Sequence, residues 1–394
     1  MTARIPTRSI VALSIAGCGS SAALRVCDPL IPYLAREHDT GLAAAAQTVT
    51  AFAIAYGLFQ LIYGPVGDRY GKYRVITIAT FACALTSLAC AFAPSLASLV
   101  VARALAGATA GALIPLSLAW IGDVVPYERR QSVLARYLIG QMFGIALGQV
   151  LGGVGADLYG SGPVFVALAA WFAAAALLLR RFVPAQERSA AHDQDGALRR
   201  YVAVLEVGWS RVVLFTVYVE GLLLVGALAF VPTHLHLTYG LPLTAAGTVV
   251  MLFAAGGLVF AALSPLLVRG LGEPGLAAVG GVLLALCLGV LALPSTPAVA
   301  ALACLVGGLG FYMLHNTLQV NATQMAPAQR GSSLALFACI LFVGHSTGVT
   351  LAGSLVERIG TGPVIAAAGG LLLFVGSAFA FALQNRRRVS AGRT

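Results

Sequence analysis

Apolar residues in this chain do not alternate with polar ones, nor do they form the one-sided stripe of a surface helix. They come in unbroken runs, separated by short polar or Gly/Pro-rich breaks. A helix crossing a bilayer needs roughly 20 apolar residues, and in lipid only helices or closed barrels satisfy their own backbone polar groups. Continuous runs select helices. Twelve are predicted, over 10–33, 43–63, 74–93, 98–121, 132–154, 163–180, 212–233, 244–268, 275–293, 298–321, 332–356 and 362–383. The longest polar stretch, 180–211, divides them six and six. It predicts units at 1–182 and 212–394, joined by a linker over 183–211 in which 198–207 reads as a short surface helix.

The two sets of runs resemble each other. A shift of 200 residues puts Gly64-Pro65 and Arg69 on Ser264-Pro265 and Arg269, Pro32 on Pro232, and GSGPV at 160–164 on GTGPV at 360–364. Pro126 and Arg129 match Pro327 and Arg330 one residue further along. Such a period is the parallel-repeat plan of a secondary transporter, with a site between the halves near the midplane. The expected fold is therefore an all-α membrane protein, twelve transmembrane helices in two pseudo-symmetric six-helix bundles.

Composition narrows the class. Apolar types make up 59% of the 394 residues, charged types 10%, and the mean hydropathy is +0.91. Soluble domains carry about 25% charged residues, so a soluble enzyme or nucleic-acid binder is excluded despite a net charge of +10. The positive charge is placed rather than spread. With the N-terminus in the cytoplasm, every Lys and Arg except Arg25, Arg36, Arg103 and Arg358 falls on the cytoplasmic side. That bias sets both termini inside, in a multi-pass protein of the cytoplasmic (inner) membrane. The first run is of full span length and carries no cleavable leader pattern. All seven Cys lie within apolar runs, as small packing residues. No metal-ligand spacing and no ATP-binding glycine loop is present.

Several polar positions carry mechanism. The string GPVGDRYGKYR at 64–74 reads as a tight cytoplasmic turn in which Gly67 and Gly71 let the backbone bend. It resembles the signature loop of the major facilitator superfamily, with Lys72 in place of the usual arginine. The resemblance implies a cytoplasmic gate built from Gly64, Asp68, Arg69, Gly71 and Lys72. Asp68 would latch against Arg129 or Arg130 and the start of the eleventh span near Ser332 and Ser333. The second-half copy, SPLLVRGLG, has Val268 where the aspartate would be.

Arg103 in VVARALAGATAGA, with Gly107 four residues on, resembles the motif of the twelve-helix drug:proton antiporters in this span, although Ala106 stands where glutamine is frequent. An uncompensated arginine inside a span costs at least ~2.5–3.5 kcal/mol. Asp28, at a matching depth in the first span, is its expected partner within about 4 Å, with Arg25 competing from three residues away. Gly140, Gly144, Gly148 and Gly152 recur every fourth residue in the fifth span and predict close helix packing. The pair Gly152-Gly153 matches the antiporter signature there, whereas Gly148-Gln149 replaces its glycine–proline. Glu220 lies mid-span with no basic residue in its own run, which suits a proton carrier. His315 and Gln319 share a helix face near Asn316 and Asn321, and His345 lies in the next span.

By that resemblance the chain would export a small organic molecule by alternating access, using the proton gradient and no other cofactor. Asp28 and Glu220 would carry the protons, with Arg103 tuning Asp28. Arg25, Gln60, Gln141, His315, Asn316 and Gln319 would line the cavity. The expected partners are the small-molecule substrate, protons and membrane lipid, with no nucleic acid and the chain acting as a monomer. A sugar or organic-anion carrier stays open, because Arg25 and Arg103 suit a carboxylate or phosphate. A sensor or membrane enzyme is disfavoured: no loop is long enough for a further domain, and no nucleophile–base pairing is apparent.

Overall fold

The structure, a computed structural model, describes residues 6–183, 196–293 and 296–391. Arg4, Arg188 and Arg393 of the basic set, and the linker stretch 184–195, lie outside the described residues. The chain is all-helical there. In order, the helices are α1 (Thr7–Arg25), α2 (Ile31–Glu37), α3 (Leu42–Tyr70), α4 (Lys72–Ala91), α5 (Leu96–Ala110), α6 (Leu113–Val124), α7 (Tyr127–Val154) and α8 (Ser161–Arg181). They continue with α9 (Ala197–Glu206), α10 (Gly208–Glu220), α11 (Gly226–Leu228), α12 (Val231–Tyr239), α13 (Leu243–Ala292), α14 (Pro297–Gln324), α15 (Arg330–Ile359) and α16 (Thr361–Ala391). Among the described residues, ten helical stretches are long and apolar enough to cross a membrane.

Where helices differ from the predicted runs, a backbone reason is at hand. The first run breaks into α1 and α2 over 26–30, around Asp28-Pro29 and just before Pro32. Both prolines lack the N–H that would continue the ladder. The seventh run is carried by α10, a π-helical turn at Gly221–Val225, α11 and α12, which opens with a proline in its first turn. The eighth and ninth runs join as α13, whose single non-helical residue is Gly272 at φ +62°. The anticipated 64–74 turn is shorter than expected. α3 continues through Pro65 and Gly67 to Tyr70, and the reversal falls on Gly71 alone, at φ +90°. Gly67 is helical; a side chain there would meet Leu116 Cδ2 at 2.7 Å. The short helix expected over 198–207 is α9.

Packing relies on small residues in register. Gly144, Gly148 and Gly152 of α7 press against the carbonyls of Cys18, Ala22 and Val26, which lie along α1 and just past its end. The same contact recurs 200 residues on: Gly344 and Gly348 of α15 meet the carbonyls of Tyr218 and Leu222. Two apolar cores result. One is built mainly from Ile10 to Leu179 and the other from Val204 to Leu383. The first also takes in Ala229, Phe230, Leu243, Val349, Ala352, Val356 and Val364, so the halves of the chain are joined through the link between α11 and α12 and through α13, α15 and α16.

Contacts between the halves run from Ala43 with Glu357 and Leu243 with Asp157, through Thr50 with Thr350, to Tyr56 and Gly57 with Phe342. Further along α3, Tyr201 of α9 donates to the Leu61 carbonyl at 2.8 Å, and Leu61 packs against the second core.

Candidate functional site

The break after α1 leaves Asp28 completely buried. One carboxylate oxygen, Oδ2, accepts from the Arg25 guanidinium at 3.5 Å and from Gln149 Nε2 at 3.0 Å, while Oδ1 has no partner. Gln149 is presented by the glycine face of α7, so the residue in place of the expected proline holds the acid.

Arg103 does not pair with Asp28, contrary to the expectation from depth. Its Nη2 donates to the Ala23 carbonyl at 3.0 Å and its Nε to the Thr48 carbonyl at 3.2 Å. The guanidinium lies 4.1 Å from the centroid of the Phe52 ring. Ala23 precedes the break, where α1 no longer pairs its carbonyls regularly, and a planar five-donor head can bridge two helices there. Gly107 completes the arrangement, since a side chain at that position would run into the Phe52 carbonyl. The Arg103–Gly107 spacing thus clamps α5 on α3 at one residue, Phe52.

On the other side, α10 ends at Glu220, also completely buried. Its Oε2 meets His315 Nδ1 of α14 at 2.7 Å, and Oε1 has no partner. The partner that its own span lacks comes from another helix. Phe311 stacks on the His315 ring at 4.9 Å between centroids, and Phe337 covers it at 5.5 Å. Tyr312 packs edge-on against Phe311. Gln60 is buried. Gln141 Nε2 is buried without a partner. Asn316 is half-buried and Gln319 exposed, while Asn321 bonds back to its own helix at the Thr317 carbonyl.

At the end carrying Ser9 and Phe182, Asp68 is bound by Lys72 at 3.1 Å, and Lys72 also reaches Asp123 at 2.8 Å. Among the described residues, the expected bond of Asp68 to Arg129 or Arg130 is not formed. Arg130 donates to the Val125 carbonyl, and Ser333 Oγ at the start of α15 has no partner. Arg69 lies over the ring of its neighbour Tyr70. Asp123 and the aromatic pair Phe311 and Tyr312 were not singled out from sequence as site groups, and Gln149, legible there as a cavity-facing residue, was not expected to hold Asp28. Among the described residues no cluster of His, Cys, Asp and Glu could hold a metal ion.

Comparison with known proteins agrees with this architecture. Multidrug export protein EmrB of Haemophilus influenzae is 26% identical over 204 residues, 52% of this chain and 40% of its own. Multi-drug resistance efflux pump PmrA of Streptococcus pneumoniae is 29% identical over 168 residues, 42% of each. The matches span less than half the length of these curated relatives. The crystal structure of the nucleoside transporter NupG superposes with a TM-score of 0.76 at 14% identity, covering 96% of this chain and 98% of that one. Residues 13–349 match the sequence profile of one family, and on that match the chain belongs to the Major Facilitator Superfamily.

Proposed function

We propose that the protein is a secondary active transporter that exports a small organic molecule in exchange for protons by alternating access. The observation carrying this reading is the pair of buried carboxylates, one from each half of the chain. Asp28 and Glu220 are both 0% exposed, and each has one oxygen bound to a basic group and one oxygen unpartnered. A carboxylate at membrane depth is costly unless it has work to do. A free oxygen beside a bound one is where a proton can be taken up without dismantling the site. Efflux rather than uptake is favoured by the likeness to EmrB and PmrA.

In this reading the chain makes twelve crossings, with the broken first run counted as one span and α13 divided at Gly272. The six-plus-six division rests on the two apolar cores and on contacts that recur at 200 residues. The basic ends face the cytoplasm, so the halves stand apart inward and close at the extracellular end, with the chain acting as a monomer. Arg25, Gln60, Gln141, His315, Asn316 and Gln319 supply substrate contacts. One feature favours a second reading, a carrier of organic anions or sugars: the Arg25 side chain is 13% exposed and shares Asp28 with Gln149, so protonation of Asp28 frees it for an anionic group.

Energised inverted vesicles containing the protein test the proposal. With a panel of lipophilic cations, sugars, nucleosides and organic acids, at least one class collapses the pH gradient, and Asp28→Asn and Glu220→Gln do not respond. A response unchanged in both variants overturns the assignment of the carboxylates.

A further inference from the structure

The two helices that meet the other half of the chain at the extracellular end begin without a cap of their own. α3 starts after Gly41 and α13 after Pro242, and neither residue offers a side chain to the free N–H groups of the first turn. Those groups are normally capped by Ser, Thr, Asp or Asn just before the helix. Here the caps come from across the molecule. Asp157, following α7, accepts from Leu243 N at 3.0 Å through Oδ1 and from Thr244 N at 2.7 Å through Oδ2. Glu357, near the end of α15, accepts from Ala43 N at 2.9 Å. The two contacts are related by 200 residues on both sides, 157 to 357 and 43 to 243. A glycine one turn before each acid brings the backbones together. A side chain added at Gly153 would run into the backbone of Leu243 and Thr244, and one added at Gly353 would meet the Ala43 Cα at 3.1 Å.

We propose that Asp157 and Glu357 are the positioning residues of the extracellular gate, a matched pair of carboxylate latches that hold it shut by capping α3 and α13 from the opposite half. Each latch combines hydrogen bonds to free N–H groups with the attraction of a carboxylate for the positive end of a helix. Both are lost together when the halves part, because nothing in Gly41 or Pro242 replaces them. The latches therefore bias the inward-facing state and set the cost of opening outward. The Asp68 cluster at the other end is unlatched in the same structure, as alternation requires. The consequence for gating rests on the alternating-access reading, but the latches need neither substrate nor proton coupling.

The test is a spin-label distance measurement on the full chain in lipid nanodiscs, with labels at Arg36→Cys and Leu237→Cys across the extracellular mouth. The seven native cysteines are buried and both labelled positions are exposed. The expected result is a fall in the closed-to-open ratio of about five-fold for Asp157→Ala or Glu357→Ala and about 25-fold for the double variant, the scale of losing a helix cap. Asp157→Asn with Glu357→Gln, which retains an acceptor oxygen without the charge, falls between. A control pair within the first half, Arg36 and Phe92, keeps its distance. An unchanged mouth distance in the double alanine variant overturns the proposal. So does a shift of the control pair equal to that of the mouth, which would mark local unfolding rather than gate opening. Absence of proton-coupled flux in the unaltered protein, with the distances behaving as stated, would sink the transport mechanism and leave the latches standing.

Discussion

Arg103 shows what a buried charge does when no carboxylate comes to meet it. At 1% exposure it binds two backbone carbonyls and an aromatic face. Arg103→Lys is expected to lower thermal stability by about 3 kcal/mol, since one ammonium cannot reach Ala23 and Thr48 together and charged hydrogen bonds are worth ~1.5–3 kcal/mol each. Melting in detergent checks it, and an unchanged midpoint would contradict the clamp. Glu220→Gln is expected to keep the fold and abolish proton-coupled flux, read as substrate exchange surviving without a gradient. The acids themselves were legible in the sequence, because Asp28 and Glu220 stand out in apolar runs. Their partners were not. Depth along a helix gives height but not azimuth, so Arg103 and Asp28 matched in height while Arg103 faces Phe52 and Asp28 faces Gln149. His315 was visible as a cavity residue, yet its bond to Glu220 joins α14 to α10 and has no local signal.

Elements here are set by glycine more than by polar pattern. Gly148 lies against the Ala22 carbonyl, with the Ala22 Cα 2.9 Å from where a side chain would start. Gly148→Val is expected to destabilise the α1–α7 pair by about 1–3 kcal/mol, the usual cost of overpacking a tight interface. It also displaces Gln149 from Asp28, so coupled flux falls with stability. A thermal shift and a flux assay on one preparation check both. At Gly71, φ +90° puts any side chain in a strained region, and Gly71→Ala is expected to cost roughly 1–2 kcal/mol. The fourfold glycine spacing marks the face of α7 on which α1 lies. The α3–α4 turn was anticipated as longer than it is, because three glycines and a proline in one string all read as turn residues in sequence. Only Gly71 turns; Gly67 makes room for Leu116.

At the scale of the whole molecule, the repeat at 200 residues was the most informative signal, since it pairs contacts as well as motifs. It left one correspondence unused: DLYGSGPV at 157–164 and ERIGTGPV at 357–364 each open on an acid, and those acids cap the helices of the other half. What no repeat can supply is which end of the molecule is closed. Asp68, expected as a latch, is engaged with Lys72 within its own half. Asp68→Asn is expected to slow turnover several-fold with substrate affinity preserved, and a change confined to affinity would contradict the gate. Proton-coupled export is tested most directly by simultaneous recording of proton and substrate flux in sealed proteoliposomes. Substrate movement with a fixed counterflow of protons is expected, lost in Glu220→Gln while substrate exchange continues. Substrate flux with no accompanying protons, or coupling intact in Glu220→Gln, would contradict it.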